Sequence, residues 1–331
     1  GLQFEKIREH LMKSPEDSQA HYKSALALKF MGKPVESMNA LRTAISLEPS
    51  FYEAHMELGI GFFAEGNIEE AVRQLTEALK INPDSVEIHN NLGNVLSNQG
   101  KTSNAIYHYY ESLKIDPGNA TALNNLAAIF ADEGRIAEAI DYYTRALKSK
   151  PGYAVAHNNL GRVLANQGRF KDAMIHFDEA LKIDPKNANY HIDAGLALGR
   201  QGQIDASIDH FKAALEIDPD HFLGNYNMGV ALSGQGKLEA ALTYFFKAAE
   251  INPHDPGIHS ILGMALTNLG RFKDAAVQFS EGLKLNPDDP QTHDNLGVVL
   301  IQMGQVNEAV DHFRRAVEID NSFERARYHL E

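Results

Sequence analysis

The apolar residues of this chain form short helical stripes that come in pairs. In residues 154–187, two stripes have the three- and four-residue spacing of one helix face: Leu160, Val163 and Leu164, then Ala173, Phe177, Ala180 and Leu181. Gly168 lies between the stripes and Pro185 follows the second. Glycine is favoured just past a helix end, and proline cannot continue a helix. The segment therefore predicts two antiparallel helices of about three to four turns each, joined by a tight turn.

The helix pair recurs along the chain with a constant period. Prolines recur every 34 residues from Pro15 to Pro287, and glycines keep the same spacing from Gly32 to Gly304. A fixed period in this range is typical of solenoid proteins. It predicts nine repeats without insertion, at residues 18–51, 52–85, 86–119, 120–153, 154–187, 188–221, 222–255, 256–289 and 290–323. We number the positions within each repeat from 1 to 34.

Two incomplete segments flank these repeats. Residues 1–17 are predicted to hold the second helix of a partial preceding repeat, because Phe4, Ile7 and Leu11 share one helix face. Residues 324–331 are predicted to begin a truncated tenth repeat. Neither end has the polar capping helix that a solenoid usually needs. We therefore expect one continuous domain that is a fragment of a longer protein.

Small residues at position 8 predict close packing within each helix pair. Seven repeats have glycine there, at 59, 93, 161, 195, 229, 263 and 297. Glycine inside a helix costs roughly 1 kcal/mol relative to alanine, so its recurrence indicates a close helix–helix approach. The large partners at position 24 are aromatic: Tyr109, Tyr143, Phe177, Phe211 and Phe245.

The order Leu-Gly, Gly, Ala, aromatic, Ala-Leu and Pro within each repeat resembles the tetratricopeptide repeat family, over residues 18–323. The resemblance implies an all-α fold, a right-handed superhelical solenoid of antiparallel helix pairs. It also implies a concave groove, lined mainly by the first helices, that binds a protein or peptide ligand. One departure is position 4, where the family often has tryptophan and this chain has mostly histidine: His21, His55, His89, His157, His191, His259 and His293.

These histidines could suggest a row of metal sites, and a second column follows at His108, His176, His210 and His312. Equivalent atoms of adjacent repeats should lie roughly 8–10 Å apart, the spacing of packed helices. A zinc ion needs its ligands at about 2.0–2.1 Å, so one column cannot form a site. We interpret position 4 as a helix-packing position where imidazole supplies a modest aromatic ring with a hydrogen-bonding edge. No metal is expected.

Composition excludes several other functions. The net charge of −13 disfavours nucleic acid and anionic membrane surfaces as partners. The chain has no apolar run long enough to insert into a membrane, and it has no cysteine for disulfides or thiol catalysis. No catalytic or phosphate-binding motif occurs. We therefore expect a non-catalytic chain that needs no cofactor.

Asparagines give the strongest functional signal. Position 6 holds Asn91, Asn125, Asn159, Asn227 and Asn295, and position 5 adds Asn90, Asn124 and Asn158. Asparagine is a mediocre helix former, whereas its amide can both donate to and accept from a peptide backbone. Further candidates for the same face are Asn94, Asn166 and Arg162. The alternative is that these side chains are solvated, or bond across neighbouring helices.

The asparagine before Leu-Gly at position 6 also resembles the ladder that lines the superhelix of O-linked N-acetylglucosaminyltransferases. In that family the ladder grips acceptor polypeptides. The resemblance covers the five asparagines of position 6 and is interrupted at Glu57, Asp193 and Ile261. Repeats 222–323 differ in another way, because they present apolar residues: Leu223, Tyr226, Val230, Ile261, Met264, Val298 and Ile301. These could accept apolar side chains or belong to the ordinary core between repeats.

Three hypotheses follow. The first is an interaction scaffold that binds a peptide or partner segment in its groove. The second is the substrate-recognition arm of a glycosyltransferase whose catalytic domain lies outside this fragment. The third is self-association through exposed end helices.

Overall fold

The computed structural model describes residues 2–330 of the protein, which form 20 α-helices and no strand. Gly1 and Glu331, which the two predicted flanking segments include, lie outside the described residues. The helices are α1 (Leu2–Lys13), α2 (Ser18–Phe30), α3 (Pro34–Leu47), α4 (Tyr52–Ala64), α5 (Ile68–Ile81), α6 (Val86–Asn98), α7 (Thr102–Ile115), α8 (Ala120–Asp132), α9 (Ile136–Ser149), α10 (Ala154–Asn166), α11 (Phe170–Ile183), α12 (Ala188–Arg200), α13 (Ile204–Ile217), α14 (Phe222–Gly234), α15 (Leu238–Ile251), α16 (Pro256–Asn268), α17 (Phe272–Leu285), α18 (Pro290–Gln302), α19 (Val306–Ile319) and α20 (Glu324–Leu330). The predicted all-α class and the predicted helix pairs are confirmed.

Each repeat consists of a first helix of 13 residues and a second helix of 14 residues, as in α6 and α7. The turn between them depends on glycine at position 15. All nine of these glycines have a φ between 70° and 78°, the left-handed region that side chains disfavour. At Gly100, the following N–H of Lys101 donates to the carbonyl of Leu96 at 2.9 Å and closes the end of α6.

Two of the first helices, α16 and α18, begin with an aspartate side-chain cap. Asp255 accepts a hydrogen bond from the backbone N–H of Ile258 at 3.0 Å. Asp289 accepts one from the N–H of Gln291 at 3.2 Å. Each aspartate precedes a proline at the first helical position, where the missing N–H costs no hydrogen bond.

Close packing at position 8 is confirmed. A Cβ atom added to Gly229 would lie 2.5 Å from the ring of Phe245, and one added to Gly93 would lie 2.6 Å from the ring of Tyr109. Such distances are far below van der Waals contact. In these two repeats the aromatic ring of position 24 therefore lies directly against the backbone of the first helix, and a side chain at position 8 would displace the ring.

The contacts between Cα atoms group the chain into two compact units, residues up to Val163 and residues from Leu164. Tyr109, Phe130 and Tyr143 are among the buried side chains of the first unit. In the second unit, Phe245, Phe279 and the residues around them form one continuous hydrophobic cluster. The single continuous domain stays a prediction. Among the described residues, no helix combines the length and apolar character needed to cross a bilayer.

Candidate peptide-binding face

Positions 5 and 6 of the first helices, treated together in the sequence analysis, have different environments. Asn90, Asn124 and Asn158 at position 5 are buried, with exposed fractions of 7, 4 and 6%. Asn91, Asn125 and Asn159 at position 6 are half-buried and reach the surface. Position 5 therefore does not share the exposed face of position 6. One helical residue turns the side chain by about 100°, which is enough to move it from the surface to the contact with the next repeat.

Asn90 at position 5 forms a hydrogen bond at the junction with the next repeat. Its amide N–H donates to Oδ1 of Asn119 at 2.9 Å. The same Oδ1 atom of Asn119 accepts from the backbone N–H of Ala122 at 3.0 Å and caps α8. Asn90 thereby ties its own repeat to the start of the next one, which is a structural role.

A chain of amide hydrogen bonds links position 6 across three repeats. Asn159 donates to Oδ1 of Asn124 at 3.2 Å, and Asn124 donates to Oδ1 of Asn125 at 3.0 Å. Asn125 donates to Oδ1 of Asn94 at 2.7 Å. The Tyr109 hydroxyl donates to the same Oδ1 atom, also at 2.7 Å. We call these five residues the asparagine chain.

Tyr109 was missed in the sequence analysis, where it counted only as a core aromatic. Its ring lies under Gly93, and its hydroxyl emerges beside Asn94 on the exposed face. Burial raises the pKa of the Tyr109 hydroxyl, which therefore stays protonated and donates. The signal in the sequence is the choice of tyrosine rather than phenylalanine at position 24, which occurs in repeats 86–119 and 120–153.

The asparagine chain leaves specific groups available. Oδ1 of Asn94 accepts two hydrogen bonds, whereas its amide NH₂ group has no partner among the described residues. Asn91 likewise has no side-chain partner within residues 2–330. Asn94 and Asn125 line a cavity of ≈ 330 Å³ together with Phe63, Ser97, Asn98, Tyr109, Ala128, Ile129 and Asp132. The side chain of Asn94 therefore borders an open space large enough for a few atoms of a ligand.

Carboxylates lie near the start of this face. The pKa of the Tyr22 hydroxyl is raised to about 12, first by burial and then by the charges of Glu57, Glu53 and Glu87. Glu57 forms an ion pair with Lys29 at 2.7 Å. Three carboxylates therefore lie near Tyr22, and one of them, Glu57, occupies position 6 of repeat 52–85.

The remaining candidates of the second unit are engaged locally. Asn227 donates to the carbonyl of Leu223 at 2.8 Å, one turn back in its own helix. Asn295 accepts from Arg325, and Asn166 accepts from Arg200 at 2.9 Å. These three asparagines do not form a chain like that of the first unit.

Arg162, also predicted for this face, is exposed on α10. Its charge lies close enough to the Tyr143 hydroxyl to favour the ionised form of that group. Burial is nevertheless the dominant effect and raises the pKa of Tyr143.

The apolar residues predicted for repeats 222–323 divide into two groups. Tyr226, Ile261 and Val298 pack against the hydrophobic cluster of the second unit, as expected for the core between repeats. Leu223, Val230, Met264 and Ile301 are exposed by 48, 40, 41 and 41%. Met264 and Asn295 line a cavity of ≈ 220 Å³ with Thr267, Asn268, Phe279 and Val298.

The position-4 histidines have the structural role predicted for them. In all seven, Nε2 lies within hydrogen-bond distance of the carbonyl oxygen of the proline that precedes the first helix, as in His259 and Pro253 at 3.1 Å. A carbonyl only accepts, so the ring donates from Nε2. Among the described residues, no group of three or more histidine, aspartate or glutamate side chains could hold a metal ion.

Family models described as tetratricopeptide repeats match most of the chain. They cover residues 18–51, 84–151, 124–188, 192–256, 232–297 and 290–323, and a model described as a TPR repeat covers residues 61–100. No curated protein sequence matches the chain.

Solved structures share this architecture at low sequence identity. The Cut9-Hcn1 hetero-tetramer of APC/C matches with a TM-score of 0.62 and 13% identity, over 99% of this chain and 80% of that one. A tetratricopeptide repeat protein from Parabacteroides merdae has a TM-score of 0.56 and 19% identity, over 75% of this chain and 98% of its own. PilF of Pseudomonas aeruginosa has a TM-score of 0.55 and 20% identity, over 61% and 92% of the two chains. At these identities, the likeness concerns the fold.

Proposed function

Because the chain belongs to the tetratricopeptide repeat family, whose architecture is typical of non-catalytic scaffolds for protein interaction, we propose that its first helices bind an extended peptide segment of a partner protein. The asparagine chain is the proposed contact surface. The observation that carries the proposal is the pair of accepted hydrogen bonds at Oδ1 of Asn94, which orients the free NH₂ group towards the cavity.

This arrangement suits a peptide backbone. An extended strand presents a carbonyl oxygen about every 3.3 Å, and amide donors read it without regard to side chains. Asn94 is held by Tyr109 and Asn125, so little side-chain freedom is lost when a ligand binds. Asn91 in the same repeat and the second N–H of Asn125 in the next repeat supply further donors.

The resemblance to O-linked N-acetylglucosaminyltransferases supports the same binding mode in three consecutive repeats, 86–119, 120–153 and 154–187, because Asn91, Asn125 and Asn159 hold the ladder position there. The glycosyltransferase arm stays a hypothesis. A catalytic glycosyltransferase domain encoded next to this segment in the genome would favour it over a free-standing scaffold.

The test is selection of a displayed peptide library against the protein, followed by titration of the selected peptides against two variants. Asn91→Ala removes a side chain that has no partner within the described residues. It should weaken binding by about 0.5–1.5 kcal/mol, or roughly 2- to 13-fold, and leave the free energy of unfolding unchanged. Asn104→Ala is the matched control, because Asn104 is an exposed asparagine on the second helix of the same repeat.

Two results would contradict the proposal. One is a set of selected peptides that bind both variants and the parent protein equally. The other is a failure to select any peptide, while the protein is folded by circular dichroism.

A further inference from the structure

In repeats 86–119, 188–221 and 290–323, two histidines meet between the first and the second helix. The Nδ1 atoms of each pair are 3.0, 3.2 and 2.8 Å apart in His89–His108, His191–His210 and His293–His312. The ring centroids are 5.3, 5.4 and 5.1 Å apart. Position 4 on the first helix thus meets position 23 on the second, and the two histidine columns are in contact in these repeats.

The position of one hydrogen in each pair follows from the neighbouring proline. Nε2 of His89 lies 3.1 Å from the carbonyl oxygen of Pro83 and must donate to it. A neutral His89 ring therefore has a bare Nδ1 atom, and His108 must donate its own Nδ1 hydrogen to that atom. His191 and His293 make the same contacts with Pro185 and Pro287 at 3.3 and 3.0 Å.

This geometry limits how many protons a folded pair can hold. The pair can accept one proton, because a charged ring still donates to its neutral partner. A second proton would place two N–H groups head to head between two positive rings. In the unfolded chain no such limit exists, and both histidines titrate near the ordinary pKa of about 6.5.

Two other repeats allow a direct comparison with the histidine pairs, because their second helix has glutamine at position 23. Glutamine replaces the second histidine at Gln74 and Gln278, whose Oε1 atoms lie 2.7 and 2.9 Å from Nδ1 of His55 and His259. An amide can donate from its NH₂ group to a neutral ring, or accept through its oxygen from a charged one. The glutamine repeats therefore tolerate either charge state of the position-4 histidine.

The surroundings of the second histidines also disfavour the charged form of the ring. Burial, followed by the charge of His89, lowers the pKa of His108 to about 4. The same two causes lower the pKa of His210 and of His312, with His191 and His293 as the charged neighbours. The carboxylates that oppose the shift are Glu111 for His108, Asp178 and Asp209 for His210, and Asp311 and Glu308 for His312.

We propose that the three histidine pairs form an acid-sensitive clasp, which lets the two helices of repeats 86–119, 188–221 and 290–323 separate more readily below about pH 6.5 than those of the glutamine repeats. Since the folded pKa lies below the unfolded one, the stabilisation is complete above pH 6.5 and is lost as the pH falls towards 4. Each pair that binds one proton fewer when folded loses about tenfold in its local folding constant per pH unit. Between pH 6.5 and 5.0 the loss is about 30-fold per pair.

Native-state hydrogen exchange of the full chain at pH 7.5 and 5.0, corrected for intrinsic exchange rates, tests this proposal. Protection in α7 and α13 should fall about 30-fold more than protection in α5 and α17, the second helices of the glutamine repeats. The triple substitution His108→Gln, His210→Gln and His312→Gln should abolish that difference and preserve protection at pH 7.5. Equal losses in all four helices of the parent protein would overturn the proposal.

A reciprocal variant covers the case in which the triple substitution fails to fold. Gln278→His creates a histidine pair in repeat 256–289 and should transfer the acid sensitivity to α17. An unchanged pH response of α17 in a folded Gln278→His protein would also overturn the proposal. Peptide binding does not enter either measurement, so the clasp and the proposed peptide site can fail independently.

Discussion

The first helices of the two units have the same length of 13 residues but very different exposed surfaces. In the first unit, Asn94 at position 9 accepts hydrogen bonds from Tyr109 and Asn125. In the second unit, position 9 holds Val230 and Met264, exposed by 40 and 41%, and Asn227 at position 6 turns back onto its own helix. The comparison shows that the repeat determines where a side chain is placed, while a few exposed positions determine what it can bind.

The largest expected effect concerns the feature that both regions share, the glycine against an aromatic ring. Gly229→Ala places a Cβ atom 2.5 Å from Phe245 and should lower the free energy of unfolding by about 1–3 kcal/mol. Gly234→Ala in the same helix is the control, because among the described residues no atom beyond its chain neighbours and its own helix backbone lies within 4 Å of the added Cβ. That variant should be neutral or more stable by up to about 1 kcal/mol. Urea unfolding measures both, and a Gly229→Ala protein as stable as Gly234→Ala would refute the close-packing argument.

A second experiment tests whether the hydrogen bond between the position-24 hydroxyl and position 9 stabilises only the first unit. Tyr109→Phe removes the hydroxyl that donates to Asn94 and should destabilise the protein by about 0.5–1.5 kcal/mol. It should also weaken peptide binding, because Asn94 then loses one of the two bonds that orient it. Phe245→Tyr adds a hydroxyl in a repeat where position 9 is Val230, which offers no acceptor, so no stability should be gained. A gain in stability from Phe245→Tyr, measured by urea unfolding, would show that the asparagine chain is not specific to the first unit.

A smaller effect is expected on the apolar surface of the second unit. Met264→Ser and Val230→Ser remove exposed apolar groups, so the free energy of unfolding should change by no more than about 0.5 kcal/mol. Peptides that bind the asparagine chain should be unaffected. If the same substitutions abolish binding of every selected peptide by titration, the binding site lies in the second unit and not in the first.

No effect is expected from removal of metal ions. The position-4 histidines donate from Nε2 to proline carbonyls, which keeps that nitrogen protonated and unable to ligate a metal. The melting temperature should therefore not change when a chelator is added. A fall of many degrees in a thermal scan would show that the histidine columns bind a structural metal.

The sequence predicted the architecture well because the signals are local and repeated nine times. Gly100 ends a helix through its own backbone conformation, and Asp255 caps the next residues along the chain. The close approach of Tyr109 to Gly93 also follows from the sequence, because glycine inside a helix lowers stability and its recurrence indicates a close neighbour. Such features depend on residues a few positions apart, or on one partner at a fixed distance within the repeat.

The candidate site was predicted only in outline. Neighbouring asparagines such as Asn90 and Asn91 look equivalent in the sequence, but one is buried against the next repeat and the other reaches the surface. The donor that orients Asn94 comes from Tyr109, 15 residues away on the opposite side of the helix pair. Neither fact follows from helical periodicity.

The sequence by itself therefore determined the helices, their ends, their pairing and the positions that pack closely, because these depend on local backbone preferences and a strict period. Only the tertiary structure decided which asparagines are free to bind, and which histidines face each other. These properties depend on the angle and separation of packed helices, where a difference of about 1 Å distinguishes a hydrogen bond from no interaction. The same repeat pattern is compatible with either outcome, so the contacts of each side chain had to be seen in three dimensions.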